Sequence, residues 1–196
     1  MIQHLREENV LQSPHIIEAF ENIDRADFVL KKDRAKPYGD YPLSIGYDAT
    51  ISQPYTVAFM LELLQAEEGN KILDIGAGSG WTSGLLAHIA GKKGFVYGVE
   101  IIPELVEFAR TNLKQYPKLK AKIFQVGEIK TESEAPFDRI MVSASAQDLP
   151  KEAVRQLAKK GTMVIPIQNS LWKIYKNEKG ELEREEFPGF AFVPLR

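Results

Sequence analysis

Between Lys71 and Trp81 the chain reads KILDIGAGSGW, an apolar run that breaks into three glycines within five residues and then resumes with a helical period. Glycines at that density mark backbone that turns tightly or comes close to a ligand. The stretch is the first of a series. Short apolar runs at 72–75, 94–100, 121–126, 137–143 and 161–167 predict strands, and helical periods at 81–90, 103–115 and 150–160 lie among them. Such alternation predicts a mostly parallel sheet, because parallel neighbours need crossovers and the crossover helices cover the sheet faces.

The flanks read differently. The first thirty residues or so predict helices, with Ser13-Pro14 as an N-cap and first-turn pair. Residues 36–54, KPYGDYPLSIGYDATISQP, have no sustained period and predict a long ordered loop. A helix opened by Pro54 follows, PYTVAFMLELLQ. Near the C-terminus, SLWKIYK and ELEREEF around the turn NEKG predict an antiparallel hairpin, and FAFVPL a further short strand. The expected fold is α/β: a Rossmann-like, doubly wound, mostly parallel sheet with a C-terminal antiparallel hairpin. With 196 residues the expectation is one domain over 1–196. Within it, 1–54 would give the N-terminal helices and a substrate-side loop, and 55–196 a cofactor-binding sheet.

Composition removes several chemistries. With no cysteine, thiolate catalysis and cysteine-zinc sites are absent, and three histidines make a multi-histidine metal centre unexpected. The balance of 25 basic and 27 acidic residues gives no broad grip on nucleic acid. No apolar run approaches the roughly 20 residues of a membrane-spanning helix, and the polar N-terminus has no signal-peptide core. A cytoplasmic protein without membrane, metal or nucleic-acid partner is expected.

In open α/β sheets, ligands bind at the carboxyl ends of strands where strand order reverses. Gly76, Gly78 and Gly80 give G-x-G-x-G rather than the dinucleotide G-x-G-x-x-G, with Trp81 in the slot of the third glycine. No Gly-Lys-Ser/Thr follows, so the loop is not a Walker A loop. Asp74, two residues before Gly76, would repel a pyrophosphate and suits a cofactor carrying an ammonium group. Glu100, ending the next strand, is placed to accept from ribose hydroxyls. An adenosine with a ribose and an amino-acid tail but no pyrophosphate fits these features; that ligand is S-adenosylmethionine (AdoMet). His88 and Trp81 read as packing residues.

With those residues in view, the chain resembles the protein-L-isoaspartate O-methyltransferases over nearly its whole length. The resemblance rests on RADFV at 25–29, YGDYPLSIGYDATISQPYTVAFMLELL at 38–64, ILDIGAGSGW, VYGVE, APFDRIMVSASAQDLP, AKKGTMVIPI and the closing FVPLR. PLSIGYDATISQP is its most specific part, since methyltransferases at large share only the glycine loop. The resemblance implies AdoMet-dependent esterification of the free carboxylate of isoaspartyl residues in damaged polypeptides, initiating repair through a succinimide. It also implies roles. Ser52 is the active-site serine beside the acceptor carboxylate, and Ala49, Thr50, Ile51 and Ser52 line cofactor and substrate. Asp74, Gly76, Ala77, Gly78 and Gly80 hold the methionine part; Glu100 and Ile101 lie at the ribose; Glu128 and Ile129 lie at the adenine. Ile51, Ser52, Gln53 and Arg196 form the substrate side, and the enzyme is expected to be a monomer.

From the residues alone, Ser52 two positions before Pro54 reads as a helix-capping serine. The chain also departs from the family's Gly-Asp-Gly, having Gly127-Glu128-Ile129, where isoleucine suits a positive φ poorly. Ser143 and Ser145 add hydroxyls after the fourth strand, where small residues such as alanine are usual. Two alternatives stay open: a related methyltransferase with a small-molecule or nucleic-acid acceptor, and a non-catalytic AdoMet-binding module on the same fold.

Overall fold

A computed structural model describes residues 1–195. Helices α1 (Ile2–Glu7) and α2 (Pro14–Asn22) and two 3₁₀ turns (Arg25–Phe28, Lys31–Asp33) lead into strands β1 (Leu43–Gly46) and β2 (Ala49–Ile51). Then follow α3 (Pro54–Leu64), β3 (Lys71–Ile75), α4 (Trp81–Ala90), β4 (Phe95–Glu100), α5 (Pro103–Leu113) and β5 (Ala121–Gln125). The remainder comprises α6 (Thr131–Glu134), β6 (Phe137–Val142), α7 (Lys151–Gln156), β7 (Leu157–Ile167), β8 (Ser170–Lys176) and β9 (Leu182–Pro188).

The main sheet has the order β5-β4-β3-β6-β7-β8-β9. The strands from β5 to β7 run parallel, and β8 and β9 add antiparallel partners. This is the expected α/β fold. After β3 the chain turns first toward β4 and β5, then crosses to β6, so order reverses between β3 and β6.

Side chains alternate across β3. Ile72 joins the core under α1 to α4, and Leu73 joins the opposite core with Phe137, Ile140, Leu157 and Ile174. The same period carries Asp74 to the α4 side. The two faces are covered unequally, because α6 and α7 are short.

Three local expectations are corrected. The 36–54 segment contains the hairpin β1–β2 at its centre. The helix expected over 150–160 ends at Gln156, and 157–160 extend β7, with a register shift opposite Phe137 and Arg139. Residues 190–195 make no strand; one isolated bridge joins Pro194 to Ser145.

Candidate functional site

The glycine loop sits where β3 ends. Gly76, Gly78 and Gly80 all have positive φ, at 83°, 53° and 87°, so any other residue there would be strained. Gly76 and Ala77 donate to the Val99 carbonyl at 2.9 and 3.1 Å, which ties the loop to the end of β4. Gly78 donates to Glu100 Oε2 at 3.0 Å, while Glu100 Oε1 accepts from the backbone of Ile101 (2.7 Å) and Ile102 (3.0 Å). Glu100 therefore fixes both the loop and the turn into α5.

Above the loop lies a cavity of about 180 Å³. Ala49 and Thr50 wall it from β2, Gly76 and Gly78 from the loop, Glu100 and Ile101 from the end of β4, and Ser143 from the end of β6. It opens at the reversal of strand order. Tyr47, Ile101, Val126 and Leu195, which also line it, are four of the exposed large apolar residues. Apolar rings and chains gathered at a cavity rim suit a flat heterocycle.

Asp74 lies behind the loop, off the cavity wall and fully buried. Its Oδ2 accepts from Ser83 Oγ at 2.5 Å, and its Oδ1 has no partner. Burial pushes this carboxyl up to about 6, the Ser83 hydroxyl opposes the shift, and neighbouring Glu100 adds to it. An unpartnered buried carboxylate oxygen beneath the cavity fits a cationic ligand group, since burying an uncompensated charge is costly. Glu100 retains acceptor capacity beyond its three backbone bonds, enough for ribose hydroxyls. The residues present thus fit a nucleoside joined to an amino acid.

A second cavity, about 280 Å³, adjoins the first and shares Thr50, Ser143 and Val193 with it. Ser52, Gln53, Thr56 and Pro42 complete much of its wall. Ser52 does not cap α3. The N-cap is Gln53, and Asp40 serves the helix start by accepting from Tyr55 N at 2.8 Å and Gln53 Nε2 at 3.0 Å.

Other expected residues fall elsewhere. Ile51 is buried in the core, and Ala77 and Gly80 shape the loop without lining the cavity. Arg196 lies outside the described residues. Glu128 and Ile129 do not reach the cavity; Val126 occupies that wall. Glu128 Oε2 accepts instead from Gln125 N (2.8 Å) and Arg110 (2.6 Å), which hold its carboxyl below the usual range. Gly127 takes the positive φ, 96°, so Ile129 bears no such strain and packs against the core. Ser145 donates to the Gln168 carbonyl and pins the C-terminal segment through backbone bonds to Val193 and Leu195. Trp81 is core, donating to Ile23 O at 3.4 Å, and His88 faces Glu18 at 3.8 Å. Among the described residues no cluster of His, Cys, Asp or Glu is arranged to hold a metal, and no helix is long and apolar enough to cross a membrane.

Arg25 has no role in the sequence reading, yet it ties down the segment from Pro37 to Ser52. Fully buried, it donates to the carbonyls of Pro37, Gly39 (3.4 Å), Tyr41 (3.1 Å) and Ser52 (3.1 Å) and lies 5.4 Å over the Trp81 ring. Burial lowers its pKa to about 10. Its signal in the sequence is a lone cation between the apolar positions Ile23 and Phe28. Arg25→Met strands these carbonyls, at about 1–3 kcal/mol for each buried acceptor left unpaired. A fall in the urea midpoint and faster proteolysis within 37–52 are expected; an unchanged midpoint and cleavage rate would remove this role.

A glycine loop at a strand-order reversal, an acid beneath it and an acid closing the next strand define a methyltransferase of the Rossmann-like type, built for a nucleoside–amino acid cofactor. The segment bearing Ser52 separates this chain from methyltransferases at large. It belongs to the protein-L-isoaspartate(D-aspartate) O-methyltransferase family, whose profile matches residues 1–196. A protein-L-isoaspartate O-methyltransferase of Methanopyrus kandleri is 40% identical, the match covering 100% of this chain and 89% of that protein. Protein-L-isoaspartate O-methyltransferase 2 of Archaeoglobus fulgidus is 41% identical, with 100% and 91% covered. Among solved structures, a Plasmodium falciparum chain superposes with a TM-score of 0.89 at 28% identity, covering 100% of this chain and 96% of that one. It is described as a protein-L-isoaspartate O-methyltransferase in complex with S-adenosyl-L-homocysteine.

Proposed function

We propose that this chain methylates the free carboxylate of L-isoaspartyl residues in damaged proteins, with AdoMet as donor, and so initiates their repair through a succinimide. One observation carries the reading. The segment at the heart of the family resemblance walls two adjoining cavities, with Ala49 on the cofactor side, Ser52 on the acceptor side and Thr50 on both.

AdoMet, once bound, would supply a methyl group activated by its sulfonium: the acceptor carboxylate oxygen would form the new C–O bond as the C–S bond breaks, with S-adenosylhomocysteine as the leaving group. A carboxylate of ordinary pKa, about 4, is already ionised at neutral pH, so no residue has to remove a proton. The chain's work is orientation and exclusion of water. Ser52 donates a hydrogen bond to the acceptor carboxylate, and Gln53 lines the same cavity beside it. Ala49, Thr50, Gly76, Gly78 and Ile101 wall the cofactor, Glu100 takes the ribose, and Asp74 answers the ammonium across the loop shaped by Ala77 and Gly80. Glu128 and Ile129 act at the adenine only indirectly, by setting the turn that presents Val126. A single domain over 1–196 is part of the proposal; its two sides are shared across the chain, since Tyr47, Asp48 and Ala49 wall the cofactor cavity, Thr50 walls both, and Thr56, Ser143 and Val193 join Ser52 at the acceptor cavity. A monomer in the cytoplasm that takes no nucleic acid completes the proposal; the near-even balance of 25 basic and 27 acidic residues supports the last point.

The test is transfer of labelled methyl to two matched peptides, one with isoaspartate and one with aspartate at the same position. Base-labile label on the isoaspartyl peptide alone is expected. Ser52→Ala should lower that rate about tenfold, the worth of one hydrogen bond of about 1.4 kcal/mol, and leave AdoMet affinity within twofold. Label on both peptides, or on neither, sinks the reading.

A further inference from the structure

The acceptor-side cavity does not end at Ser52. Beyond Pro42, Gln53, Thr56 and Ala191 it continues into a groove of about 710 Å³. Four aromatic residues form that groove. Tyr55 and Phe59, one turn apart on α3, stack at 6.4 Å between ring centres. Phe59 then meets Phe190 face to face at 5.1 Å and the edge of Phe187 at 5.4 Å. All four are only half-buried, and Pro188 and Gly189 close the far end. No charged side chain lines the groove. Half-exposed rings held in place by one another, with no ionic partner on offer, suit a second apolar group.

From this continuity we infer that the groove is a specificity subsite: it takes the aromatic or aliphatic side chain of a residue next to the isoaspartate in the substrate polypeptide. The inference rests on the proposed isoaspartyl activity and adds direction to it. The acceptor cavity meets the groove at Pro42, Gln53, Thr56 and Ala191 and the cofactor cavity at a different set, Thr50, Ser143 and Val193, so a single neighbour of the isoaspartate is expected to reach the groove. An apolar residue on that side is favoured, and the same residue on the other side is not. The uncharged lining makes an acidic neighbour a poor occupant, because its carboxylate would lose water and gain no partner.

The experiment uses isoaspartyl peptides carrying Phe, Gly or Glu at the preceding or the following position. Phenylalanine on one side should raise kcat/KM about tenfold over glycine, at the low end of what burying a phenyl ring yields. The gain should sit in KM, as for binding that is equal in ground and transition states. In Phe190→Ala the one-sided gain should collapse, so that the kcat/KM values for the Phe and Gly peptides fall within about twofold of each other. Because Phe190 also packs on the core, Pro188→Lys provides a surface variant, expected to narrow the gap between Phe and Glu peptides severalfold. Equal rates for Phe and Gly peptides, or a gain from phenylalanine on both sides, overturn the subsite and leave the isoaspartyl activity standing. A dimer that Phe190→Ala dissociates, with peptide preference unchanged, reassigns the groove to a second copy of the chain. No label on any isoaspartyl peptide overturns the parent reading and the subsite with it.

Discussion

Glu100→Ala is expected to weaken AdoMet binding by at least two orders of magnitude, the largest loss of any single side chain in the cofactor cavity. The reason is convergence. One carboxylate accepts from Gly78 in the glycine loop and from Ile101 and Ile102 in the turn to α5, and it faces the cavity with capacity to spare. Hydrogen bonds to a charged acceptor are worth about 1.5–3 kcal/mol each. Truncation removes three of them, unpins the loop from β4, and deletes the proposed ribose contact as well. Glu100→Gln is not a conservative rescue. Its amide oxygen can still accept from Ile101 and Ile102, but its NH₂ would then face the N–H of Gly78, donor against donor. Calorimetric titration with AdoMet, alongside thermal melts of the ligand-free variants, separates lost affinity from lost fold. If the Gln variant binds AdoMet as tightly as the unaltered chain, the carboxylate is not the anchor described.

The parts of the fold that were legible in the sequence are those dictated by burial. Strands such as β3 and β6 are covered on both faces and read as short apolar runs, and the α4 range Trp81–Ala90 follows directly from its periodicity. What escaped was set by pairing and by unusual backbone. The tip of the β1–β2 hairpin puts Tyr47 and Asp48 at φ 57°, without the Asn-Gly or Asp-Gly that announces such turns. Residues 157–160, Leu-Ala-Lys-Lys, favour helix locally, yet Leu157 pairs with Phe137 and Lys160 turns to φ 62°, so the sheet overrides propensity. Residues 190–195 are bounded by Pro188 and interrupted by Pro194, neither of which can donate to a ladder.

The site follows the same division. Asp74, the glycines and Glu100 were readable because their spacing relative to a strand end is itself the geometry. Arg25 was not, since its partners are carbonyls from Pro37 to Ser52 and nothing in the sequence marks a carbonyl as an acceptor waiting for a donor. Glu128 was readable as an acid but not as one already engaged by Arg110.

Asp74→Asn should move stability and binding in opposite directions. The folded carboxyl titrates near 6 against an ordinary 3.8, so between those values the folded chain holds a proton that the unfolded chain has released. Stability therefore falls as pH rises through roughly 4 to 6, and the full penalty, on the order of 3 kcal/mol, persists at neutral pH. Asparagine removes the charge and keeps an acceptor for Ser83, although its amide hydrogens inherit the unpartnered position of Oδ1. The net gain expected for the ligand-free variant at pH 7.5 is about 1 kcal/mol, after that unpaired amide offsets part of the relief. AdoMet binding should weaken about tenfold or more, because the ammonium loses its counter-charge across a region of low dielectric. The unaltered chain should show the same loss of affinity on acidification below about 6, as Asp74 takes up its proton, and Asp74→Asn should lack that step. Melts of both ligand-free chains from pH 4.5 to 8, paired with AdoMet titrations at the same pH values, read both signs. An Asn variant that melts lower at pH 7.5 and binds AdoMet normally would mean that the burial of Asp74 serves packing, and that the cation is met elsewhere.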